Sequence, residues 1–293
     1  MCTYCEFREE WYLRCSDGTK IFVAEYGVGE PIIGLHGGWG GEHSYLIDAF
    51  RGLERHYRTV LYDQRGSLRS ICPSGEITLG KHIEDLEHLR VELGLERLNL
   101  VGHSMGSFLA MAYLNKYPEH VKKLVLVSPL LPRSPQGEVE LKLYQELEQK
   151  KQAFRKRPEI QAELKKAGLD RPNLTDKERT WRWRIIFAAD KIYDVSKWRY
   201  FRGGQAFYSE EAARKSKESC PEEYDFTEAL KNHPYPIYLI TSDYDFGVGS
   251  ELHKLMLKNH SNVHFVEIKN AGHNIWIDQP EAFRDALIYC VGF

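Results

Sequence analysis

Short apolar runs that stop at glycine-rich turns alternate with helix-length amphipathic stretches over residues 1–130, and the same texture returns over 232–293. Trp11–Cys15 and Lys20–Glu25 flank Ser16-Asp17-Gly18-Thr19, a pattern that predicts a β-hairpin. Pro31–Leu35, Thr59–Tyr62, Leu98–Val101 and Leu124–Val127 read as buried strands, because they are short, mostly apolar runs, the first two stopping at glycine clusters. Between the last two, Phe108, Leu109, Ala112 and Tyr113 repeat at helical spacing. Strand, helix, strand within about 30 residues is a βαβ unit, which implies parallel pairing and a right-handed crossover. Ile237–Thr241 and His264–Ile268 supply two more strands, followed by a helix from about Pro280 to Tyr289.

The intervening block differs. It is rich in charge, carries helical patterns over Glu138–Gln152, Pro158–Lys166 and Lys177–Ala189, and shows almost no strand signal. The expected architecture is α/β: a mostly parallel central sheet with helices on both faces, formed by 1–130 and 232–293, and an inserted helical cap over 131–231. Neither an internal repeat nor a low-complexity segment interrupts it.

Composition narrows the function more than the fold. With 293 residues, 42% hydrophobic and 28% charged, the chain is neither disordered, collagenous nor a coiled coil. No apolar run approaches the roughly 20 residues that span a bilayer. The start, MCTYCEFREE, is charged and lacks a signal peptide's apolar stretch, so a cytoplasmic location is expected. Forty basic residues against 42 acidic ones give a net charge of −2 and no electrostatic reason to bind nucleic acid or membrane. The expected partner is a small-molecule or short-peptide substrate; the sequence does not set an oligomeric state. Six scattered cysteines are too few for a disulfide framework. Cys2-x-x-Cys5, with Cys15 as a third thiol, falls short of the four ligands of a closed zinc site, so free thiols and no metal are expected.

The strongest chemical signal is Gly102-His103-Ser104-Met105-Gly106, directly after one apolar strand and before a helix. Glycines two before and two after the serine relieve crowding at a sharp strand-to-helix turn, leaving its Oγ exposed near a helix N-terminus that favours developing negative charge. A serine needs a base, and the base an orienting acid. Among twelve histidines, His273 lies in a turn (Asn270–Asn274) between a strand and the terminal helix, where it can reach the sheet edge. His103 adjoins the nucleophile and points elsewhere; His36 opens a glycine loop and reads as structural. Asp243 and Asp245 both follow the strand Ile237–Thr241 and both qualify as the acid by position. After Pro31–Leu35, the run His36-Gly37-Gly38-Trp39-Gly40-Gly41 can turn backbone N–H groups toward a bound oxygen and, with the N–H of Met105, form an oxyanion hole. A dinucleotide loop is the plainer reading of such glycines, but G-x-G-x-x-G is absent.

Taken together, HGGWG (36–40), DQRGSLRS (63–70), GHSMG (102–106), SDYD (242–245) and AGH (271–273) resemble the α/β-hydrolase superfamily in order and spacing. The pairing of HGG-x-G with DQRG-x-x-x-S is most similar to the prolyl iminopeptidase group of serine peptidases. The resemblance covers the two flanking segments and hardly touches the middle block. It implies Ser104 as nucleophile, His273 as base, Asp245 as acid, and the amides of Gly38 and Met105 as oxyanion donors. Trp39, beside them, stands where those peptidases have proline and is taken as a substrate-binding residue. Asp63 and Arg65 match a pair that braces the loop beneath the site.

The cap departs from that group. Its Trp181-Arg182-Trp183-Arg184 carries arginine where the peptidases set a glutamate after tryptophan to hold a substrate amine. Asp190, or else Asp194, is the candidate replacement. Trp181, Trp183, Phe187 and Trp198 are expected mainly to hold cap helices together. The implied activity is an aminopeptidase working through an acyl-enzyme. An esterase, amidase or lactonase on a small apolar substrate is the alternative, and a lyase or ligand binder a further one. No cofactor is implied.

Overall fold

Alternation along the central strands sorts their side chains into two buried layers. In Val121–Val127, Leu124 and Leu126 enter one hydrophobic cluster while Val125 and Val127 enter the other, as a period of two demands of a strand covered on both faces. The computed structural model describes residues 8–246 and 249–292.

Eight strands form one sheet: β1 (Arg8–Arg14), β2 (Lys20–Tyr26), β3 (Glu30–Leu35), β4 (Tyr57–Tyr62), β5 (Leu98–His103), β6 (Val121–Val127), β7 (Ile237–Ser242) and β8 (Val263–Ile268). Their order is β1-β2-β4-β3-β5-β6-β7-β8. The β1–β2 and β2–β4 pairs are antiparallel and the remaining five parallel. The predicted hairpin closes as expected, with Arg14 opposite Lys20 and Asp17 Oδ1 accepting the Thr19 N–H at 3.0 Å.

Among the helices, α1 (Leu46–Ala49) follows the glycine loop, and α2 (Leu79–Glu92) and α3 (Met105–Lys116) flank β5 in sequence. Between β6 and β7 lie α4 (Gly137–Arg155), α5 (Pro158–Lys166), α6 (Asp176–Ala188), α7 (Glu210–Glu218) and α8 (Thr227–Asn232). After β7 come α9 (Ser250–Met256), α10 (Ile275–Asp278) and α11 (Pro280–Val291). Side chains of α2, α3, α8 and α9 join the cluster containing Leu124, and those of α1, α10 and α11 join the one containing Val125. The inserted helices merge with both: Leu147 of α4 enters the first, whereas Ile160, Leu164 and Ile185 of α5 and α6 enter the second. Among the described residues no helix is long and apolar enough to cross a membrane.

Position within the sheet is what builds a site. Strands β3, β5, β6 and β7 are parallel neighbours, so their carboxyl ends reach one edge together and deliver the loops that follow them to a single place.

Candidate active site

Ser104 sits between β5 and α3 at φ 53 and ψ −122, a conformation that L residues seldom adopt. The steric reason for its flanking glycines is explicit. A Cβ on Gly102 would meet Gly106 O at 2.6 Å, and one on Gly106 would meet Leu35 O at 2.1 Å. Both obstacles are backbone atoms and cannot swing away. Gly106→Ala is therefore expected to destabilise the protein by about 1–3 kcal/mol or more, read as a lower urea midpoint at an unchanged m-value. Backbone bonding locks the turn: Ser104 N donates to Val127 O at 2.9 Å, and Ser107 N to Ser104 O at 2.9 Å.

Opposite the serine lies the glycine loop. A Cβ on Gly37 would stand 2.7 Å from Ser104 Cβ. The Gly37 N–H donates to Tyr45 Oη, and the phenol in turn reaches His103 Nδ1 at 2.9 Å. Of the adjacent glycines, Gly38 is the one not committed to Tyr45; it adopts φ 69 and lines the cavity above Ser104. Met105 opens α3, so its N–H has no acceptor within the helix. Those are the two amides that the sequence resemblance implies as oxyanion donors.

His273 is buried, and its Nδ1 donates to Asp245, 3.1 Å from Oδ1 and 3.0 Å from Oδ2. Asp243, the rival by position, instead accepts the Ala271 N–H at 3.4 Å. Burial opposes ionisation of Asp245, but the charge and hydrogen bond of His273, with help from Lys191, outweigh it and hold the carboxyl at about 2. With Nδ1–H fixed on Asp245, the Nε2 lone pair is the basic one. Ser104 and His273 line the same cavity; the side-chain bonds of His273 run to Asp245 and none to Ser104 is formed, a looseness common before substrate binds.

The histidine loop is clamped from three sides. Ser128 Oγ donates to His273 O at 2.9 Å, Ser242 Oγ to Gly272 O at 2.8 Å, and Gly272 N to Asp278 Oδ2 at 2.9 Å. His103 Nε2 lies 3.3 Å from His273 O; burial first, then the nearby His273, push its ring well below the usual histidine range, consistent with a neutral spacer. His36 is also structural: Nε2 accepts the Gln64 N–H at 3.0 Å.

Other expected residues do not converge on the cavity. Trp39 is turned inward by left-handed Gly38 and Gly40 and stacks on His82 of α2, ring centroids 4.5 Å apart, so it packs the core instead of binding substrate. Asp190 lies 3.5 Å from Arg155 and lines a separate depression, while Asp194 caps the turn at Ser196. Asp63 and Arg65 brace, but not each other. Asp63 binds His43 Nδ1 at 2.6 Å and Arg69 Nε at 2.8 Å, whereas Arg65 binds Asp85 at 2.7 and 2.6 Å and Asp17 at 2.8 Å. Glu42, His43 and Asp63 are close enough together to hold a cation, yet the Arg69 guanidinium already fills that role, 2.8 Å from both carboxylates. Cys2 and Cys5 lie outside the described residues; Cys15 donates to Asp85 Oδ1 at 3.3 Å, and burial pushes its thiol up to about 12.

The aromatics of the segment between β6 and β7 divide. Trp198 is fully buried and its Nε1 donates to Glu163 at 3.0 Å, with Trp181 tilted against it. Trp183 and Phe187 stack at 4.8 Å and line the cavity, a space of about 250 Å³, with Phe201 and Phe207. Tyr45, Lys191 and Asp278 went unnoticed in the sequence, and no motif or spacing marks them. Finally, Ser209 N, just before α7, donates to Gly40 O at 2.8 Å, tying the insertion to the glycine loop.

The family model described as the alpha/beta hydrolase fold matches residues 30–280. Over 115 residues the chain is 42% identical to a proline iminopeptidase of Xylella fastidiosa, covering 38% of this chain and 36% of that protein. Over 136 residues it is 33% identical to a human 1-acylglycerol-3-phosphate O-acyltransferase, covering 44% and 38%. The aligned stretches thus span little more than a third of these relatives' length. Among solved structures, an esterase from Exiguobacterium antarcticum matches with a TM-score of 0.71 and 21% identity, over 97% of this chain and 100% of that one. A proline iminopeptidase-related protein from Thermus thermophilus matches with a TM-score of 0.68 and 21% identity, over 98% of each. At such identity the likeness is one of fold.

Proposed function

Because the chain belongs to the α/β-hydrolase family, we propose that it is a serine hydrolase that passes a small-molecule substrate through an acyl-enzyme on Ser104. The observation that carries the reading is the buried Asp245–His273 hydrogen bond, beside the cavity that Ser104 opens into. His273 Nε2 takes the proton as Ser104 Oγ attacks the carbonyl, and Asp245 fixes the tautomer and steadies the imidazolium. The amides of Gly38 and Met105 hold the oxyanion; losing one such donor costs about 2.7–4 kcal/mol in the barrier. The imidazolium then protonates the leaving group, and water activated by the same nitrogen releases the acid.

The segment between β6 and β7 serves as the cap. Its Trp183, Phe187, Phe201 and Phe207 give the cavity apolar walls, which fits an ester or amide with an apolar body better than a peptide's charged terminus. Phe187→Ala is expected to raise KM for medium-chain esters about tenfold with little change in kcat, because it removes apolar contact shared by ground and transition states; steady-state kinetics on an acyl-length series checks this.

An aminopeptidase is the second reading, favoured by the likeness to proline iminopeptidases. It needs an acid for the substrate's amine. Glu42 is the one acidic side chain among the described residues lining the cavity, and it is already engaged by Ser44 N at 2.7 Å and Arg69 at 2.8 Å. The deciding experiment pairs nitrophenyl esters with free-amine prolyl, alanyl and leucyl nitroanilides, and maps a fluorophosphonate adduct by mass spectrometry. Ester turnover with labelling at Ser104 supports the first reading, and anilide cleavage supports the second. Neither turnover nor labelling rejects both.

A further inference from the structure

The cations around the cavity differ in how their charge is met. Arg202 is held by Asp48, with Nη2 3.0 Å from Oδ1, and Arg69 by Glu42 and Asp63. Lys191 has no such partner. Among the described residues no carboxylate lies within ion-pair distance of its ammonium, which sits 6.0 Å over the Phe187 ring. Its place is fixed by the backbone. Lys191 O accepts the Asn274 N–H at 2.8 Å, one residue past His273, and the chain at Ile192 packs so closely on Gly272 that a Cβ there would come within 2.8 Å of Ile192 Cα.

Nearby acids are all occupied. Glu42 accepts from Ser44 and Arg69, Asp245 holds His273, and Asp190 pairs with Arg155 in the adjoining depression that Lys191 also lines. Behind the wall, Arg184 rests on a neutral acceptor, Gly203 O, at 2.9 and 2.7 Å. The cavity above Ser104 is therefore aromatic, with one ammonium beside the catalytic histidine that forms no ion pair among the described residues and acts on Asp245 only from a distance. A charge with apolar walls on one side interacts more strongly than one in water, and an ammonium–carboxylate hydrogen bond is among the stronger kinds.

Resting on the acyl-enzyme reading and deepening it, we infer that the substrate carries a carboxylate bound by Lys191, so that this site selects anionic esters or amides and rejects free amines. Rejection follows from placing like charges together without a compensating acid.

The test uses matched esters. Monomethyl glutarate and methyl pentanoate differ in a charge on the acyl side; 4-acetoxybutanoate and butyl acetate differ in one on the alcohol side; methyl 5-aminopentanoate carries the opposite charge. With wild type, at least one anionic ester should show kcat/KM about tenfold above its neutral counterpart. Lys191→Met should bring that ratio near one, and Lys191→Glu should favour the amine. Using the ratio cancels any general effect of Lys191 on the triad. Ratios near one in wild type, or a preference that survives Lys191→Met, overturn the inference. Calorimetric binding of the same esters to Ser104→Ala, with and without Lys191→Met, separates the two readings. Binding about tenfold tighter with Lys191 present, in a protein that turns over no ester, keeps the anion site and rejects the hydrolase. Binding and turnover both indifferent to Lys191 reject the anion site.

Discussion

Alanine at position 104 is expected to lower kcat by roughly 10⁴- to 10⁶-fold on any ester the protein hydrolyses, with its melting temperature nearly unchanged. The loss is large because the nucleophile has no substitute, and the residual rate is what oxyanion donors and binding supply alone. The fold should tolerate the change, since the turn is held by the Ser104 backbone N–H on Val127 O and by close-packed glycines, none of which involve Oγ. Asp245→Asn is the sharper companion, expected to cost about 10⁴-fold in kcat. An amide that donates to His273 Nδ1 forces the proton onto Nε2, which is then no longer a base. Melting curves with kinetics on the same preparations check both. The pH profile adds a sign. Asp245 is held at about 2, below its ordinary value, so its contribution to stability is complete above pH 4 and is lost as pH falls through 2. Activity lost between pH 8 and 4 is therefore not protonation of this carboxylate.

The largest stability effect is expected beneath the site. Arg65 is 2% exposed and its guanidinium clasps Asp85 through Nε and Nη2 at 2.7 and 2.6 Å. Asp85→Ala would leave that guanidinium with Asp17 at 2.8 Å and the Glu76 carbonyl at 2.9 Å, its main counter-ion gone. Removing one partner of a buried pair costs about 3–5 kcal/mol, most of it the uncompensated charge left behind. The double variant Arg65→Met, Asp85→Leu should recover most of the loss, since an apolar pair of similar volume is often neutral or stabilising. Urea denaturation of the two variants decides: a double variant as unstable as the single one shows that the pair's hydrogen bonds, not its unbalanced charge, hold this region.

The sheet was legible because its strands obey one rule. Apolar runs such as Leu98–Val101 and Leu124–Val127 are buried on both faces and are short, whereas the longer apolar run Phe108–Leu114 is a buried helix. The strands' observed ends reach a few residues further, to His103 and back to Val121, because pairing continues where apolarity has stopped. The sharp turn at Ser104 was legible for a steric reason: glycine is required on either side of it by backbone atoms 2.1–2.6 Å from where a Cβ would stand. Spacing left the acid open, because Asp243 and Asp245 occupy one turn and only the fold decides which faces His273. What escaped was set by contacts between distant segments. Trp39 looked like a site residue by adjacency, but its side chain follows the turn at Gly38 toward His82. Tyr45, Lys191 and Asp278 act through single bonds to the glycine and histidine loops, and a single bond across the fold leaves no periodic trace.

Strands β6 and β7 are neighbours in the sheet although roughly 110 residues of chain separate Val127 from Ile237. Closing so long a loop carries an entropic term of about 4 kcal/mol from its length alone, and contacts of that sequence separation form late. Ser104 is placed by segments on one side of that closure, Asp245 and His273 by segments on the other. During refolding, then, native-like secondary structure is expected to precede competence: circular dichroism should recover first, and the capacity to react with a fluorophosphonate only once β7 has docked against β6.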